Sequence, residues 1–232
     1  MSMFGPTHSL PRLSRSNAGR ETVLSVLDLG SSKVCCLVGR LVPREKGGAA
    51  LPGRSHAIEI IGFGHHRSAG VKAGTIVDMD AAESAMRLAV DSAERSAGVT
   101  IDSVIVSTSA GRLGSRTFSS SITLDGSEVE PRDLRTVLHA GADHAVEDGR
   151  AVLHSLPIGY SLDGEHRVVE PVGLAGEELG VDMHVVTAQA APLRNLEATI
   201  NRLHLGVEAV AATPYASGLA TLADDETRIG CA

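Results

Sequence analysis

Two apolar runs meet at a short polar turn near the start of this chain, and that junction restricts the available folds more than any other stretch. Thr22 to Leu29 reads as a strand that carries Asp28 to its end. Gly30-Ser31-Ser32 turns the chain, and Lys33 to Leu41 leaves as a second strand. Two apolar strands around so short a turn commit the segment to a hairpin. The turn has two chemical readings. Its backbone N–H groups and serine hydroxyls can hold a phosphate, with Asp28 placed to hold a metal ion beside it. Asp and Gly also close ordinary hairpins for conformational reasons alone.

Downstream, Val42 to Ala57 is a loop rich in Pro, Gly and charge, and Ile58 to Gly64 completes a three-stranded meander. A Gly-punctuated turn, Ala69 to Asp78, leads into a helix for which Asp80 is the expected N-cap, with Glu83 three residues on. Ala82, Met86, Ala89, Val90, Ala93 and Ala97 recur at helical spacing, and Gly98 marks the stop. The inner face of this helix is small, so it can lie close on a sheet. Ile101 to Ser107 is the next strand. Between about 109 and 187 the pattern changes. Strand-like segments at Ser115 to Leu124, Ala151 to Leu162, Arg167 to Leu174 and Val181 to Thr187 accompany a helix over Arg132 to Val146, opened by Pro131. This is an α+β unit with mostly antiparallel signals, set into an α/β pattern. The earlier style then returns: an amphipathic helix carrying Leu193, Leu196, Ile200 and Leu203 and ended by Gly206, a strand from Val207 to Ala212, and a helix from Tyr215 to Leu222. A strand-like start at Arg228 to Ala232 closes the sequence, and a chain that ends as a strand opens is expected to be a truncated one.

Composition removes several function classes. Aromatics are 2% with no Trp, so a core in this 232-residue chain rests on Val, Leu, Ile and Ala, as suits a sheet covered by helices. That leaves few stacking platforms for single-stranded nucleic acid, and a net charge of −7 gives no general attraction to DNA or anionic membrane. No run approaches the roughly 20 apolar residues of a membrane helix. Residues 1–21 hold Arg12, Arg15 and Arg20 but no apolar signal-peptide core, and read as a disordered tail. Cys35, Cys36 and Cys231 form no C-x-x-C pair; adjacent strand residues point to opposite faces, which fits a reduced cytoplasmic protein. His65 and His66 are adjacent, and His139 and His144 miss the i, i+4 spacing of a zinc pair, so these read as surface or core histidines. Ser107 to Ser109 and Ser119 to Ser121 lack a G-x-S-x-G elbow and read as structural, and Glu177-Glu178 reads as a solvated loop. No catalytic residue is identified.

Five segments, in order, resemble the FtsA family of actin-like bacterial cell-division proteins. They are Leu27-Asp28-Leu29-Gly30-Ser31-Ser32-Lys33-Val34, Ile60-Ile61-Gly62-Phe63-Gly64, Gly70 to Asp78, Val152-Leu153-His154, and Pro171-Val172-Gly173-Leu174-Ala175-Gly176. The last is similar to the family's P-V-G-L-S-G signature, which other actin-like proteins do not generally share. The resemblance spans about Thr22 to Ala232. It implies an α/β, actin-like (ribonuclease-H-like) subdomain 1A, built from residues 22–107 and 188–232, the latter including the truncated start of a second half. It implies an inserted α+β subdomain 1C of the SHS2 type over 108–187. It further implies that Asp28 organises Mg²⁺ through water while Gly30, Ser31 and Ser32 face the phosphates of ATP, with Lys33 nearby. The family's second phosphate loop, adenosine pocket, FtsZ-binding surface and C-terminal membrane helix are expected to be absent here, so weak ATP binding or none is expected of this length alone. The complete protein implied is at most a weak ATPase. It binds ATP, polymerises, tethers the FtsZ ring to the cytoplasmic face of the inner membrane at the division site, and recruits later division proteins through about 108–187; no nucleic acid is implied. Two alternatives stay open at this point: an actin-like pilus-assembly protein with a similar insertion, against which Pro171 to Gly176 weighs, and an ATP-dependent small-molecule kinase of the same superfamily, for which no catalytic base is visible.

Overall fold

The computed structural model describes residues 22–43, 56–143, 147–223 and 226. The expected N-terminal tail, most of the Val42 to Ala57 loop, His144 and the strand-like Arg228 to Ala232 lie outside the described residues. In chain order the elements begin with β1 (Thr22–Leu29), β2 (Lys33–Pro43), β3 (His56–Arg67), the short pair β4 (Val71–Lys72) and β5 (Thr75–Ile76), α1 (Met79–Ala97) and β6 (Ser103–Thr108). They continue with β7 (Gly114–Thr123), α2 (Pro131–Asp143), β8 (Arg150–Leu162), β9 (Glu165–Val168), β10 (Glu178–Gln189), α3 (Ala190–Asn201), β11 (Gly206–Ala212) and α4 (Thr213–Thr221). The chain divides into two compact units, Arg112–Ala190 and the described residues on either side of it.

In the flanking unit the sheet order is β11-β6-β1-β2-β3. β1, β2 and β3 form the expected antiparallel meander, while β6 and β11 join parallel to β1. Leu27, Leu29, Val34, Cys36, Val38, Val104 and Val106 point to one face, where α1 and α3 close the core with Ala82, Ala85, Met86, Ala89, Ala93, Leu196 and Ile200. Helix α1 reaches β3 closely because Gly62 and Gly64 present no side chain to it. A Cβ on Gly64 would stand 2.0 Å from the Ala89 carbonyl oxygen.

The N-cap of α1 is Asp78, not Asp80. Asp78 has extended backbone (φ −142°, ψ 109°), and its Oδ1 accepts from the N–H groups of Asp80 and Ala81, both at 3.1 Å. The β4–β5 turn sets this entry: Gly70, at φ +68°, gives its carbonyl to the N–H groups of Val77 and Asp78, which delivers Asp78 rather than Asp80 to the helix start. Asp80 instead holds the Arg202 guanidinium at 2.5 Å, alongside Glu83 at 2.7 Å. Gly98 ends the helix at φ +68° as expected.

In the inserted unit, an antiparallel sheet of order β7-β10-β8-β9 packs α2 against Leu179, Val181, Met183 and Val185, with Leu124, Val129 and Val137. The strand expected over Arg167 to Leu174 ends at Val168. Pro171 has no N–H for a ladder and Gly173 sits at φ +87°, so the chain turns. Gly173 then donates to Val129 O and Val129 donates to Leu174 O, which ties the Pro171–Gly176 segment down. Glu178 opens β10 instead of lying in a loop; its N–H and that of Glu177 both donate to Asp163 Oδ1.

His154 on β8 is buried, and burial lowers its pKa from the ordinary histidine value. The neutral form is therefore favoured in the fold. Its contribution to stability is full above the unfolded value, about 6.5, and is lost as pH falls through the lower folded value. Urea unfolding at pH 7 and pH 5 should show a loss at pH 5 that His154→Leu diminishes. An unchanged pH dependence in the variant would place the acid sensitivity elsewhere.

Candidate functional site

Parallel strands β1, β6 and β11 end together, and their carboxyl edge carries Asp28, Ser107 and Thr213. In open α/β sheets this is where ligands gather, since side chains and helix starts converge there without a covering strand. Asp28 lies in register with Ser107 of β6, and Ser107 with Ala211 of β11. The Ser107 hydroxyl lies 3.0 Å from Thr213 Oγ1 at the start of α4. That helix has Ala212 as its N-cap and Pro214 in its first turn, so its N-terminus starts on the same edge.

The β1–β2 turn sits beside this row. Gly30 donates its N–H to Lys33 O at 3.0 Å, and a Cβ on Gly30 would stand 3.1 Å from that oxygen, so the glycine serves the closure of the hairpin. Ser31 Oγ accepts the Gly74 N–H at 3.1 Å, which ties the turn to the β4–β5 ribbon and leaves the hydroxyl proton free to donate. Ser32 gives its carbonyl to Ser68 N. Among the described residues no hydrogen bond uses the N–H of Ser31 or Ser32. Ser31, Ser32 and Lys33 are exposed and Asp28 is half-buried, with no hydrogen bond to its carboxylate among the described residues. Asp28 faces away from the Leu27 and Leu29 core.

This donor set fits a phosphate with a hydrated Mg²⁺. Phosphate oxygens require donors, and the turn offers two N–H groups, two hydroxyls and Lys33. Mg²⁺ keeps most of its waters and takes few carboxylates, and Asp28 supplies one. Sequence reasoning placed Asp28, Gly30, Ser31, Ser32 and Lys33 together, and they are together. Ser107, Thr213 and Gly74, which lie on or are tied to the same edge, were not placed there from the sequence; the Thr213-Pro214 pair was the available signal for the helix start beside them.

Across the sheet the row continues from Asp28 to Cys35 and on to His65, whose ring stacks on Phe63 with centroids 5.3 Å apart. Among the described residues no group of three His, Cys, Asp or Glu could hold a metal ion. Cys35 is half-buried and Cys36 buried; burial first, then Glu94 and Cys35, push the Cys36 thiol up to about 12. Iodoacetamide at about pH 8.5 should therefore label Cys35 well before Cys36 in the folded chain, as read by peptide mass spectrometry. Equal labelling would mean that the β2 strand opens readily. No described helix is long and apolar enough to cross a membrane.

The family model described as the SHS2 domain inserted in FtsA matches residues 110–187, which is nearly the whole inserted unit. The cell division protein FtsA of Agrobacterium fabrum is 56% identical over 100% of this chain and 52% of its own length. FtsA of Pseudomonas aeruginosa is 30% identical over 88% of this chain and 46% of its own, and FtsA of Escherichia coli K12 is 27% identical over the same shares. The chain thus spans about half the length of the relatives it matches. Among solved structures, the PilM-PilN type IV pilus biogenesis complex is similar in fold, with a TM-score of 0.53 at 12% identity over 86% of this chain and 50% of that one. The architecture is accordingly the expected actin-like α/β unit interrupted by an α+β insertion. With its SHS2 insertion and a match to FtsA proteins along its entire length, the chain belongs to the FtsA family of cell division proteins.

Proposed function

We propose that this protein, at the length of its relatives, binds ATP with Mg²⁺ at the carboxyl edge of β1, β6 and β11. In that form it polymerises and links the FtsZ ring to the cytoplasmic face of the inner membrane, with residues 108–187 as subdomain 1C recruiting later division proteins. Residues 22–107 and the first part of 188–232 serve as subdomain 1A, and the end of 188–232 opens the second half. The observation that carries the nucleotide part is the meeting of Asp28 with the free donors of Ser31 and Ser32 at that edge. The division part rests on the relatives, which are cell division proteins.

Within this reading the chain's own groups have separate tasks. Ser31 and Ser32 orient phosphate oxygens by N–H and O–H donation, Lys33 adds positive charge nearby, and Asp28 faces the hydrated ion. Bound Mg²⁺ supplies charge neutralisation for the phosphates. ATP acts here as a ligand that orders the edge, and phosphoryl transfer to an acceptor is no part of the proposal. Fluorescent ATP titrated into the full-length protein, with Mg²⁺ and with EDTA, tests it. Saturable, Mg²⁺-dependent binding is expected, together with a fluorescent fusion at the division site in growing cells. Absence of binding overturns the nucleotide assignment, and diffuse localisation overturns the division assignment.

A further inference from the structure

We propose that the outer edge of β7 takes an extended acidic peptide as an added strand, with one carboxylate seated in an arginine-lined cavity at the strand's N-terminal end. The assignment specifies a partner chemistry for the recruiting role given above to this unit, and it is tested on purified protein, independently of that role.

The edge carries the first part of the argument. β7 pairs with β10 along all ten residues, Gly114 to Thr123, without a register shift, and no described strand lies on its other side. Long free edges are ordinarily guarded by proline, lysine, a bulge or short length. The other edges of this sheet are guarded. β9 is four residues long and carries Glu165 and Arg167. The outer side of β8 is paired only from Tyr160 to Leu162, buried over Ala151–His154, and carries Pro157. β7 is ten residues long and has no proline, lysine or bulge; its one charged residue, Arg116, shares the face of Phe118 and pairs with Glu147. Thr117, Ser119, Ser121 and Thr123 are exposed, while Phe118 and Ile122 turn inward. A backbone ladder is therefore available to an incoming strand, with small side chains that give no steric objection.

The cavity carries the second part and selects the partner's charge. It encloses about 230 Å³ between Arg112, Arg116, Arg150, Glu147, Phe118 and Val185. Glu147 is already satisfied by Arg116 at 2.5 Å. Arg150 spends Nε and Nη2 on Thr187 Oγ1, Thr187 O and Arg112 O, none of them charged. Among the described residues neither Arg112 nor Arg150 has a carboxylate within ion-pair reach. Two guanidinium groups over an apolar floor, at one end of an open strand edge, complement a carboxylate carried by an extended chain.

The test is selection from a display library of random ten-residue peptides on the immobilised chain, followed by fluorescence anisotropy of enriched sequences. Enriched peptides should carry Asp or Glu near one end and bind saturably. Arg112→Glu should weaken them about tenfold or more. Ser119→Pro and Ser120→Pro sample successive N–H groups, one of which faces outward. The variant that keeps the parental unfolding temperature should lose binding by a similar factor, because it removes only an outward donor. No enrichment, enrichment of peptides lacking acidic residues, or an affinity for the Arg112→Glu or the stable proline variant unchanged from that for the unsubstituted chain overturns the proposal.

Discussion

Replacing Gly64 with alanine is expected to destabilise the chain by about 3 kcal/mol, at the upper end of what overpacking costs in a dense core. The added Cβ would meet the Ala89 carbonyl oxygen at 2.0 Å and the Ala93 nitrogen at 2.7 Å. Both are backbone atoms of α1, so no rotamer change relieves the contact. Relief requires lifting a helix whose inner face is sealed by Ala82, Ala85, Met86, Ala89, Val90 and Ala93. Gly98 supplies the internal comparison. A Cβ there meets nothing within 4 Å, but the residue sits at φ +68°, so alanine pays only the left-handed penalty of about 1 kcal/mol. Urea unfolding of Gly64→Ala and Gly98→Ala should therefore differ by roughly 2 kcal/mol. Similar small losses would show that α1 can move off β3 freely, and the close helix–sheet approach would lose its structural role.

That approach was legible in the residues themselves. Alanines at helical spacing in α1 and the Gly62 and Gly64 pair on β3 are the two halves of one contact, and only the first half was read as such from sequence. β1, β2, β6 and β11 followed from apolar runs and glycine stops, since each is long enough to carry its own pattern. Where sequence reading failed, a nonlocal constraint decided. Asp78 and Asp80 are chemically equal candidates for the cap, and the path fixed by Gly70 chose between them. Apolar residues from Val168 to Leu174 imitate a strand, but Pro171 and Gly173 turn the chain. The site shows the same division. Asp28 to Lys33 are contiguous and could be read. Ser107 and Thr213 meet across 106 residues, and Ser31 meets Gly74 across 43, so these contacts depend on how β6, β11 and the ribbon assemble.

Asp28→Asn should weaken binding of Mg²⁺ and ATP to the full-length protein by about 10- to 100-fold, the range for losing one hydrogen-bonded charge, and should abolish most of the difference between Mg²⁺ and EDTA. The substitution is close to isosteric. Asp28 is half-buried, faces away from the Leu27 and Leu29 core, and bonds to nothing among the described residues, so the unfolding temperature should change little. Ser31→Ala is the necessary contrast. It leaves the Gly74 N–H without its acceptor and should cost about 1 kcal/mol of stability as well as affinity, without altering the metal dependence. The two variants therefore separate the ion from the phosphate cradle. If Asp28→Asn still binds ATP more tightly with Mg²⁺ than with EDTA, the carboxylate only closes the hairpin, and the ion must be held by groups outside the β1–β2 turn.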